Sequence, residues 1–306
     1  MTISFERIEQ AAREIDPVFL HSPQFWCDAL NVFLKVETMN PIRCFKGRGA
    51  EWLVRSRAET APIVCASAGN FGQAMAHACR SRGIDLTVFA GVTANTLKLE
   101  RMRALGATVV LQGEDFDAAK LAARVFARDS GARFLEDGLE PETAEGAGTM
   151  LIELAREPID TLLVPLGNGA LLAGIGVAAR TSRPSMKIVA VQAAGAPAMT
   201  ESLTQGRCIT HASMATIADG IGVRLPIPEM LTTLPGLYDE IVLVREESIL
   251  RGMRLLHEHA GIVAEPSAAV GIAALIENRE RFTGGRVGTI VCGGNLTSQQ
   301  MRDWLA

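Results

Sequence analysis

The chain has 306 residues, enough for one large or two moderate domains, and 48% of them are hydrophobic. Its net charge of −4 and the lack of a long basic run argue against nucleic acid or a membrane surface as a partner. There is no secretory signal and no apolar run of the ~18 residues that a membrane span needs. The six scattered cysteines contain no C-x-x-C pair. These features predict a cytoplasmic protein without structural zinc or a disulfide framework.

The first half of the chain alternates short apolar runs with helical patterns. This alternation predicts a parallel sheet with right-handed crossovers. The predicted strands lie at 62–67, 85–91 and 108–113, and the predicted helices at 70–83, 95–106 and 116–131.

A second series of the same kind begins near residue 159. Its predicted strands lie at 159–166, 187–193, 240–246 and 287–294, and its predicted helices at 170–182, 246–259 and 267–278. Two α/β lobes with a cleft between them are the natural architecture. The site should lie in the loops after the carboxyl ends of the strands.

Three glycine-rich turns follow three of these strands, at 66–73, 165–174 and 289–298. The first opens a helix, whose free N–H groups suit an anion, but it could equally be a tight strand–helix connection. The second could cradle a phosphate, although Leu172 stands where a dinucleotide motif has its third glycine. The third begins with Cys292, which either packs in the core or presents a thiol to the cleft.

A lone lysine, Lys46, stands between Phe45 and Gly47 where a helix begins. It is either a surface residue of the first helical turn or a reactive amine. The sequence shows no Ser-His-Asp set and no metal-binding cluster. His257 and His259 do not share a helix face, so they are poorly placed to bind one metal ion. A lysine together with phosphate-cradling glycines suggests a Schiff base with a phosphate-bearing aldehyde, pyridoxal phosphate.

Six motifs in this chain resemble those of the fold-type II pyridoxal-phosphate enzymes, in the serine/threonine dehydratase and serine racemase branch. They occur in the family's order and span nearly the whole chain. The matching segments are Cys44 to Ala50, Ser67 to Gln73, Gly167 to Leu171, Thr216 to Gly220, Glu265 to Ala269 and Cys292 to Asn295.

The resemblance implies a two-lobed α/β fold like that of the tryptophan synthase β subunit, with parallel-rich twisted sheets and helices on both faces. It implies a large cofactor-binding domain formed by 1–50 and 140–306 and a small domain formed by 51–139. The chain ends after the final motif, so no regulatory domain is expected. The family's properties also lead us to expect a homodimer.

The resemblance also assigns the cofactor contacts. Lys46 would carry pyridoxal phosphate as a Schiff base and later move protons at the substrate Cα, with Phe45 beside the cofactor. Asn70 would bond the ring 3′-oxygen, and Cys292 would face the pyridine nitrogen. The remaining predicted contacts come from Gly220 and from the phosphate loop Gly167, Asn168, Gly169, Ala170 and Leu171.

The substrate carboxylate would be held at the start of the helix that follows the first turn. The residues implied are Ser67, Ala68, Gly69, Asn70 and Phe71. The family's arginine for a substrate side chain aligns near Ala119, so a β-carboxylate substrate loses support, although Lys120 is adjacent.

Two departures from the family pattern bear on the reaction. Ala68 stands where serine racemases have a serine that exchanges protons on the face opposite the lysine, and a methyl group cannot do this. Cys292 replaces the more frequent serine, and a thiol does not keep the pyridine nitrogen firmly protonated. Both changes favour elimination, with proton transfer on one face of the substrate, over racemisation.

A third departure concerns metals. The family's cation site aligns with Gln192, Ala196 and Ala198, which lack the carboxylate ligands that a divalent ion prefers. We therefore expect no divalent metal. The sequence leaves open whether carbonyl oxygens hold a monovalent cation.

The leading hypothesis is a dehydratase, or ammonia-lyase, that converts L-serine, L-threonine or a related β-hydroxy amino acid to a 2-oxo acid and ammonia. The alternatives are a racemase, which Ala68 disfavours, and a β-replacement enzyme, which Gly47 disfavours because those enzymes usually have aspartate there. A non-catalytic cofactor-binding protein is the fourth hypothesis. Lys46 and Asn70, both intact, argue against it.

Overall fold

A computed structural model describes residues 2–306. Its strands are β1 (Gln24–Cys27), β2 (Val32–Val36), β3 (Ile63–Ala66), β4 (Leu86–Ala90), β5 (Thr108–Leu111), β6 (Arg133–Leu135), β7 (Thr161–Pro165), β8 (Lys187–Ala193), β9 (Glu240–Val244) and β10 (Val287–Val291).

Twelve α-helices accompany these strands within residues 2–306. They are α1 (Phe5–Glu14), α2 (Lys46–Ser56), α3 (Asn70–Arg80), α4 (Thr96–Ala104), α5 (Phe116–Ser130), α6 (Pro141–Glu153), α7 (Ala170–Ser182), α8 (Ala198–Gln205), α9 (Pro228–Thr233), α10 (Glu246–Ala260), α11 (Pro266–Glu277) and α12 (Ser298–Leu305). None of them is both long and apolar enough to cross a membrane.

The strands form two separate sheets. The larger has six strands in the order β1-β2-β10-β7-β8-β9, all parallel except the β1–β2 pair. The smaller has four parallel strands in the order β5-β4-β3-β6. The predicted α/β class with parallel-rich sheets is therefore confirmed.

Each sheet has its own apolar core, because parallel strands are covered by helices on both faces. The strands of the central pair β7 and β10 are almost entirely buried, and α7 and α11 are apolar on most of their surface. Two smaller clusters cover the four-stranded sheet, one on each side.

The sequence patterns located every predicted strand and helix to within a few residues but missed several others. The missed strands β1, β2 and β6 are short, and three to five residues carry too little periodicity to stand out. Helices α6, α8, α9 and α12 were among the helices missed. Helix α6, the longest of these four, is buried on nearly all sides and lacks a polar face that would reveal a helical period.

Candidate active site

A cavity opens where the carboxyl ends of strands from both sheets meet. This is the edge at which parallel α/β sheets place their ligands. The cavity is lined by Cys44, Phe45, Lys46, Asn70, Pro165, Gly167, Asn168, Gly169, Leu171, Gly220, Ile221, Glu265, Ser267 and Cys292.

Lys46 is the first residue of α2, as the sequence predicted, and its amine faces this cavity. Its Nζ donates a hydrogen bond to Oδ2 of Asp137 at 2.5 Å and lies 5.4 Å from the centre of the Phe45 ring. Burial lowers the pKa of Lys46, but the charge and hydrogen bond of Asp137 outweigh it and leave the pKa raised. As a free amine, Lys46 is therefore protonated near neutral pH.

The backbone before Lys46 is tied to the third glycine-rich turn. Cys44 forms an antiparallel bridge with Gly293, and the Phe45 amide donates to the Cys292 carbonyl at 3.0 Å. The Cys292 thiol is buried, and its pKa is raised mainly by burial and next by the charge of Glu265. A neutral thiol therefore lies beside the lysine.

A buried ion-pair cluster anchors the first turn of α2 from behind. Arg48 is fully buried and donates to both carboxylate oxygens of Glu37, at 3.0 and 2.9 Å, and to Oε1 of Glu153 at 2.6 Å. Gly49 lies directly against α6, where a Cβ would approach the Thr143 Cα to 2.7 Å. Arg48 and Gly49 therefore help to set the position of Lys46, two and three residues away.

Three motifs that lie far apart in the sequence meet at the side chain of Asn70. Its Nδ2 donates to Oε1 of Glu265 at 2.8 Å, and its Oδ1 accepts from Nδ2 of Asn295 at 2.8 Å. The Asn295 backbone amide donates to Oε2 of Glu265 at 3.1 Å. Burial raises the pKa of Glu265 to about 6, even though the nearby Lys98 opposes this.

The loop between β7 and α7 forms the opposite wall. Gly169 has φ +104°, a left-handed conformation that disfavours any side chain, and a Cβ there would lie 3.1 Å from the Met230 sulfur. The first amides of α7 have no partner within the helix, which makes this end attractive to an anion. Ala170 differs from its neighbours because its amide already donates to Oδ1 of Asn168 at 3.1 Å.

Two further observations indicate a polar ligand in this space. The Ser267 hydroxyl is buried, lines the cavity and has no hydrogen-bond partner among residues 2–306. Gly220 lies beside it, and a Cβ there would approach the Ser267 oxygen to 2.8 Å. An unpaired buried hydroxyl is costly unless a ligand satisfies it. The residues present therefore fit a phosphate-bearing cofactor.

The turn predicted to hold the substrate carboxylate contributes one residue, Asn70, to the cavity lining. Ser67 instead caps α3, since its Oγ accepts from the amides of Gly69 at 3.2 Å and Gly72 at 2.9 Å. Ala68 lies half-buried in the same turn. The predicted substrate contacts of this turn remain predictions.

The segment aligned with the family's cation site is occupied by internal contacts. Oε1 of Gln192 accepts from the amide of Thr200 at 3.0 Å and from its hydroxyl at 2.6 Å. Ala196 and Ala198 are buried methyl groups. Within residues 2–306, no group of three or more His, Cys, Asp or Glu side chains is placed so that it could hold a metal ion.

Sequence reasoning missed the carboxylate of Asp137. It quoted Glu265, Ser267 and Asn295 within motifs without assigning any of them a role. A strand at 133–135 would have placed Asp137 at the same sheet edge as the other turns. That strand has only three residues, so the signal was too short to use.

A lysine amine, a glycine cradle and an unpaired hydroxyl in one cavity fit an enzyme whose cofactor carries a carbonyl, to which the lysine bonds covalently, and a phosphate, which the backbone amides hold. The model of the pyridoxal-phosphate dependent enzyme family matches residues 17–293. The chain belongs to this family, and its cofactor is pyridoxal phosphate.

The relatives agree with the branch that the motifs indicated. An L-threonine ammonia-lyase from Thermotoga maritima is 32% identical over 96% of this chain and 76% of its own length. An L-threonine dehydratase, catabolic TdcB, from Staphylococcus aureus is 31% identical over 96% of this chain and 89% of its own.

Solved structures agree as well. Maize serine racemase superposes with a TM-score of 0.92 at 26% identity, covering 99% of this chain and 97% of its own. The processed form of threonine deaminase isoform 2 from Solanum lycopersicum superposes with a TM-score of 0.88 at 26% identity, covering 98% of this chain and 93% of its own. The predicted membership of the serine/threonine dehydratase branch is confirmed.

Proposed function

We propose that the protein is a dehydratase, or ammonia-lyase, that converts L-serine, L-threonine or a related β-hydroxy amino acid to a 2-oxo acid and ammonia. The observation that carries this proposal is the Lys46 amine, which shares one cavity with the glycine cradle of the β7–α7 loop. The names of the relatives, an ammonia-lyase and a dehydratase, support the reaction type.

The cofactor would be held by residues that line the cavity. Pyridoxal phosphate, when bound, supplies an aldehyde that reacts with amines and a ring that withdraws electrons from the substrate Cα. Gly167, Asn168, Gly169 and Leu171 would face its phosphate through backbone amides, and Gly220 would leave room beside it. Ala170 would contribute through helix α7, because its own amide is already bonded.

The ring would lie between Phe45, Asn70 and Cys292. The Asn70 amide has two N–H donors and gives one to Glu265, so the second can reach a ring oxygen. Cys292 would meet the ring nitrogen as a neutral thiol, since burial raises its pKa. A neutral thiol does not keep the pyridine nitrogen protonated, as a carboxylate would.

Lys46 would act as the base on one face of the substrate. Its amine takes the α-proton, and the β-hydroxyl leaves as water once it is protonated. Ala68 offers no proton exchange on the other face, which favours elimination over racemisation. The substrate carboxylate would be held at the start of α3, by Ser67, Gly69, Asn70 and Phe71 together with the backbone of Ala68.

A substrate with a second carboxylate is disfavoured. The cation closest in sequence to the aligned position is Lys120, and it is already paired with Glu136 at 3.0 Å. Arg124, one turn further along α5, contacts the same carboxylate. We therefore propose an uncharged β-hydroxy side chain.

We also propose a large domain from 1–50 and 140–306 and a small domain from 51–139. All four strands of the smaller sheet fall between 51 and 139, which supports this division. The homodimer, the cytoplasmic location and a role for a monovalent cation remain predictions from the sequence.

The test is the release of 2-oxo acid and ammonia from a panel of β-hydroxy amino acids by protein reconstituted with pyridoxal phosphate. L-serine or L-threonine should give both products in equal amounts, and Lys46→Ala should abolish them. Borohydride reduction should label Lys46 in the peptide map. D-serine formed as fast as pyruvate would instead establish a racemase.

A further inference from the structure

The carboxylate of Asp137 lies at the active centre, although no sequence motif includes it. It belongs to the loop that follows β6. The next residue, Gly138, has φ +92° and packs closely on the phosphate loop. A Cβ at Gly138 would lie 3.0 Å from the side-chain nitrogen Nδ2 of Asn168. This contact holds the Asp137 loop against the rim of the cofactor cavity.

The contact between Asp137 and Lys46 is a sheltered ion pair. The two side chains are 23% and 15% exposed, and Nζ and Oδ2 are 2.5 Å apart. Solvent screens such a pair less than it screens a surface salt bridge. The pair therefore affects the charge of Lys46 far more than an exposed pair would.

The other titratable groups that line the cavity with Lys46 are the thiols of Cys44 and Cys292 and the carboxyl of Glu265, which is bonded to Asn70. Cys44 precedes α2 and Cys292 follows β10, and burial raises both pKa values well above their usual range. Both are therefore uncharged near neutral pH. Among the groups that act on Lys46, Asp137 is the one that supplies a negative charge.

The negative charge of Asp137 determines whether the pKa of Lys46 is raised or lowered. Burial alone lowers the pKa of a lysine, and here Asp137 reverses that effect and raises it. Without Asp137 the amine would lose its proton at a lower pH.

We propose that Asp137 is a positioning residue that stabilises the protonated form of Lys46. It thereby slows covalent capture of the cofactor by the free lysine, and it favours transfer of the substrate α-proton to Lys46 once the amine has been released in its neutral form. The first half follows from the chain alone, because an amine must be neutral to attack an aldehyde. The second half rests on the proposed function.

During turnover, Lys46 receives the α-proton of the substrate. The Cα–H bond breaks, its electron pair stays with the substrate carbon, and the proton moves to Nζ of Lys46, which is neutral at that point because the incoming substrate amine has displaced it from its covalent bond. The resulting ammonium is stabilised by the Asp137 carboxylate 2.5 Å away. A stronger proton acceptor makes this step more favourable, by about tenfold for each unit of pKa.

The neighbouring carboxylate provides a matched control. Glu136 has the same charge and lies in the same loop, but it pairs with Lys120 and Arg124 and not with Lys46. Glu136→Gln therefore removes one negative charge without removing the partner of Lys46.

The first measurement uses apoprotein. The rate at which it captures pyridoxal phosphate is followed from about pH 6 to about pH 11 by borohydride quenching and quantitation of the Lys46 peptide. We expect Asp137→Asn to shift the midpoint of this profile down by about 1–3 pH units and to speed capture at neutral pH. Glu136→Gln should follow the wild-type profile.

The second measurement is the turnover of the reconstituted enzymes. We expect Asp137→Asn to lower kcat by about 3- to 30-fold with little change in KM, because a proton-transfer rate follows only part of a change in base strength. Asp137→Glu, which retains the charge, should lie closer to wild type in both measurements. Opposite changes in capture and kcat separate the proposal from a structural defect, which would slow both.

The proposal is overturned if the capture midpoint of Asp137→Asn coincides with that of Glu136→Gln, or if capture and kcat fall together. Should Asp137→Asn fail to fold by circular dichroism, Asp137→Ser replaces it in the same comparison. If Asp137→Asn shows the midpoint shift but the wild-type protein releases no 2-oxo acid, the proposed function is contradicted and the Asp137–Lys46 coupling is supported.

Discussion

Asn70, Glu265 and Asn295 form a closed set of hydrogen bonds beneath the cavity, and this set illustrates how single residues control the site. Glu265 is buried, so its ionised form depends on the bonds it accepts from Asn70 and from the Asn295 amide. These bonds do not fully compensate for the loss of water, which is why its pKa is raised to about 6.

This shift predicts a pH dependence of stability. Because the pKa of Glu265 is higher in the folded state than in the unfolded chain, the folded state binds more protons. Its contribution is therefore greatest below the unfolded value of 4.5 and is lost as pH rises through about 6. The loss should be about 2 kcal/mol.

The measurement is urea unfolding of wild type and Glu265→Gln at pH values from about 4 to about 7.5. The difference in unfolding free energy between the two proteins should change by roughly this amount across the range, since glutamine does not titrate. A difference that is constant with pH would show that folding does not shift the pKa of Glu265.

A second prediction at this scale concerns Ala68. Ala68→Ser adds a hydroxyl at the position where the family's racemases exchange a proton, and it should raise the ratio of D-serine to pyruvate. General acid–base help typically contributes ~10²–10⁴-fold, so racemisation by the unmodified enzyme should be a trace reaction. Chiral chromatography of residual serine, alongside pyruvate release, measures the ratio.

The matched control for this substitution is Ala68→Gly, which changes the same position without adding an oxygen and should leave the ratio unchanged. An equal rise for glycine and serine would mean that space, not proton exchange, limits racemisation.

At the scale of elements, the site is built where loops join strands to helices. The β7–α7 loop uses glycines because its backbone must approach both a ligand and its neighbours. Gly169 adopts a left-handed conformation while packed against Met230 and Leu234. The amides at the start of α7 can then face the cavity.

Gly169→Ala should therefore weaken cofactor binding as well as stability. A Cβ would meet Leu234 Cδ1 at 3.0 Å, and the left-handed φ adds about 1 kcal/mol or more of strain. We expect the Kd for pyridoxal phosphate, measured by fluorescence titration of the apoprotein, to rise about tenfold or more.

Gly206→Ala is the control. Gly206 is also left-handed, at φ +65°, but nothing lies within 4 Å of its Cβ position and it ends α8 away from the cavity. It should lose a similar amount of stability with no change in Kd. Equal effects of Gly169→Ala and Gly206→Ala on Kd would show that the weaker cofactor binding results from a general loss of stability.

At the scale of the whole molecule, the cavity lies between two sheets and is spanned by polar contacts. Lys98 of α4 pairs with Asp219 at 2.6 Å, and Arg224 pairs with Asp115, which caps α5, at 3.1 Å. Both pairs join the region of the four-stranded sheet to loops of the larger one.

The prediction at this scale concerns metals. Gln192 and Ala198 replace the expected carboxylate ligands, and Gln192 is bonded to Thr200 instead. EDTA treatment should therefore leave turnover of the reconstituted enzyme nearly unchanged. A large loss that magnesium or calcium restores would place a functional ion elsewhere in the protein.

Much of the site was predictable from local sequence. Lys46, the glycine-rich turns and most of the helices and strands were found because each is encoded within a few consecutive residues. The lining of the cavity was predicted in part, since Asn70, Gly220, Cys292 and most of the phosphate loop are in it. Ser67, Ala68, Gly69 and Phe71 are not among its lining residues.

The sequence by itself determined the chemistry of the site, because a lysine at a helix start and amides in glycine-rich turns act through their local backbone. Only the tertiary structure decided the charge environment. Asp137 meets Lys46 across 91 positions, and Glu265 meets Asn70 across 195. No local pattern encodes such pairs, because crossovers between parallel strands bring them together and burial then sets the pKa of each group.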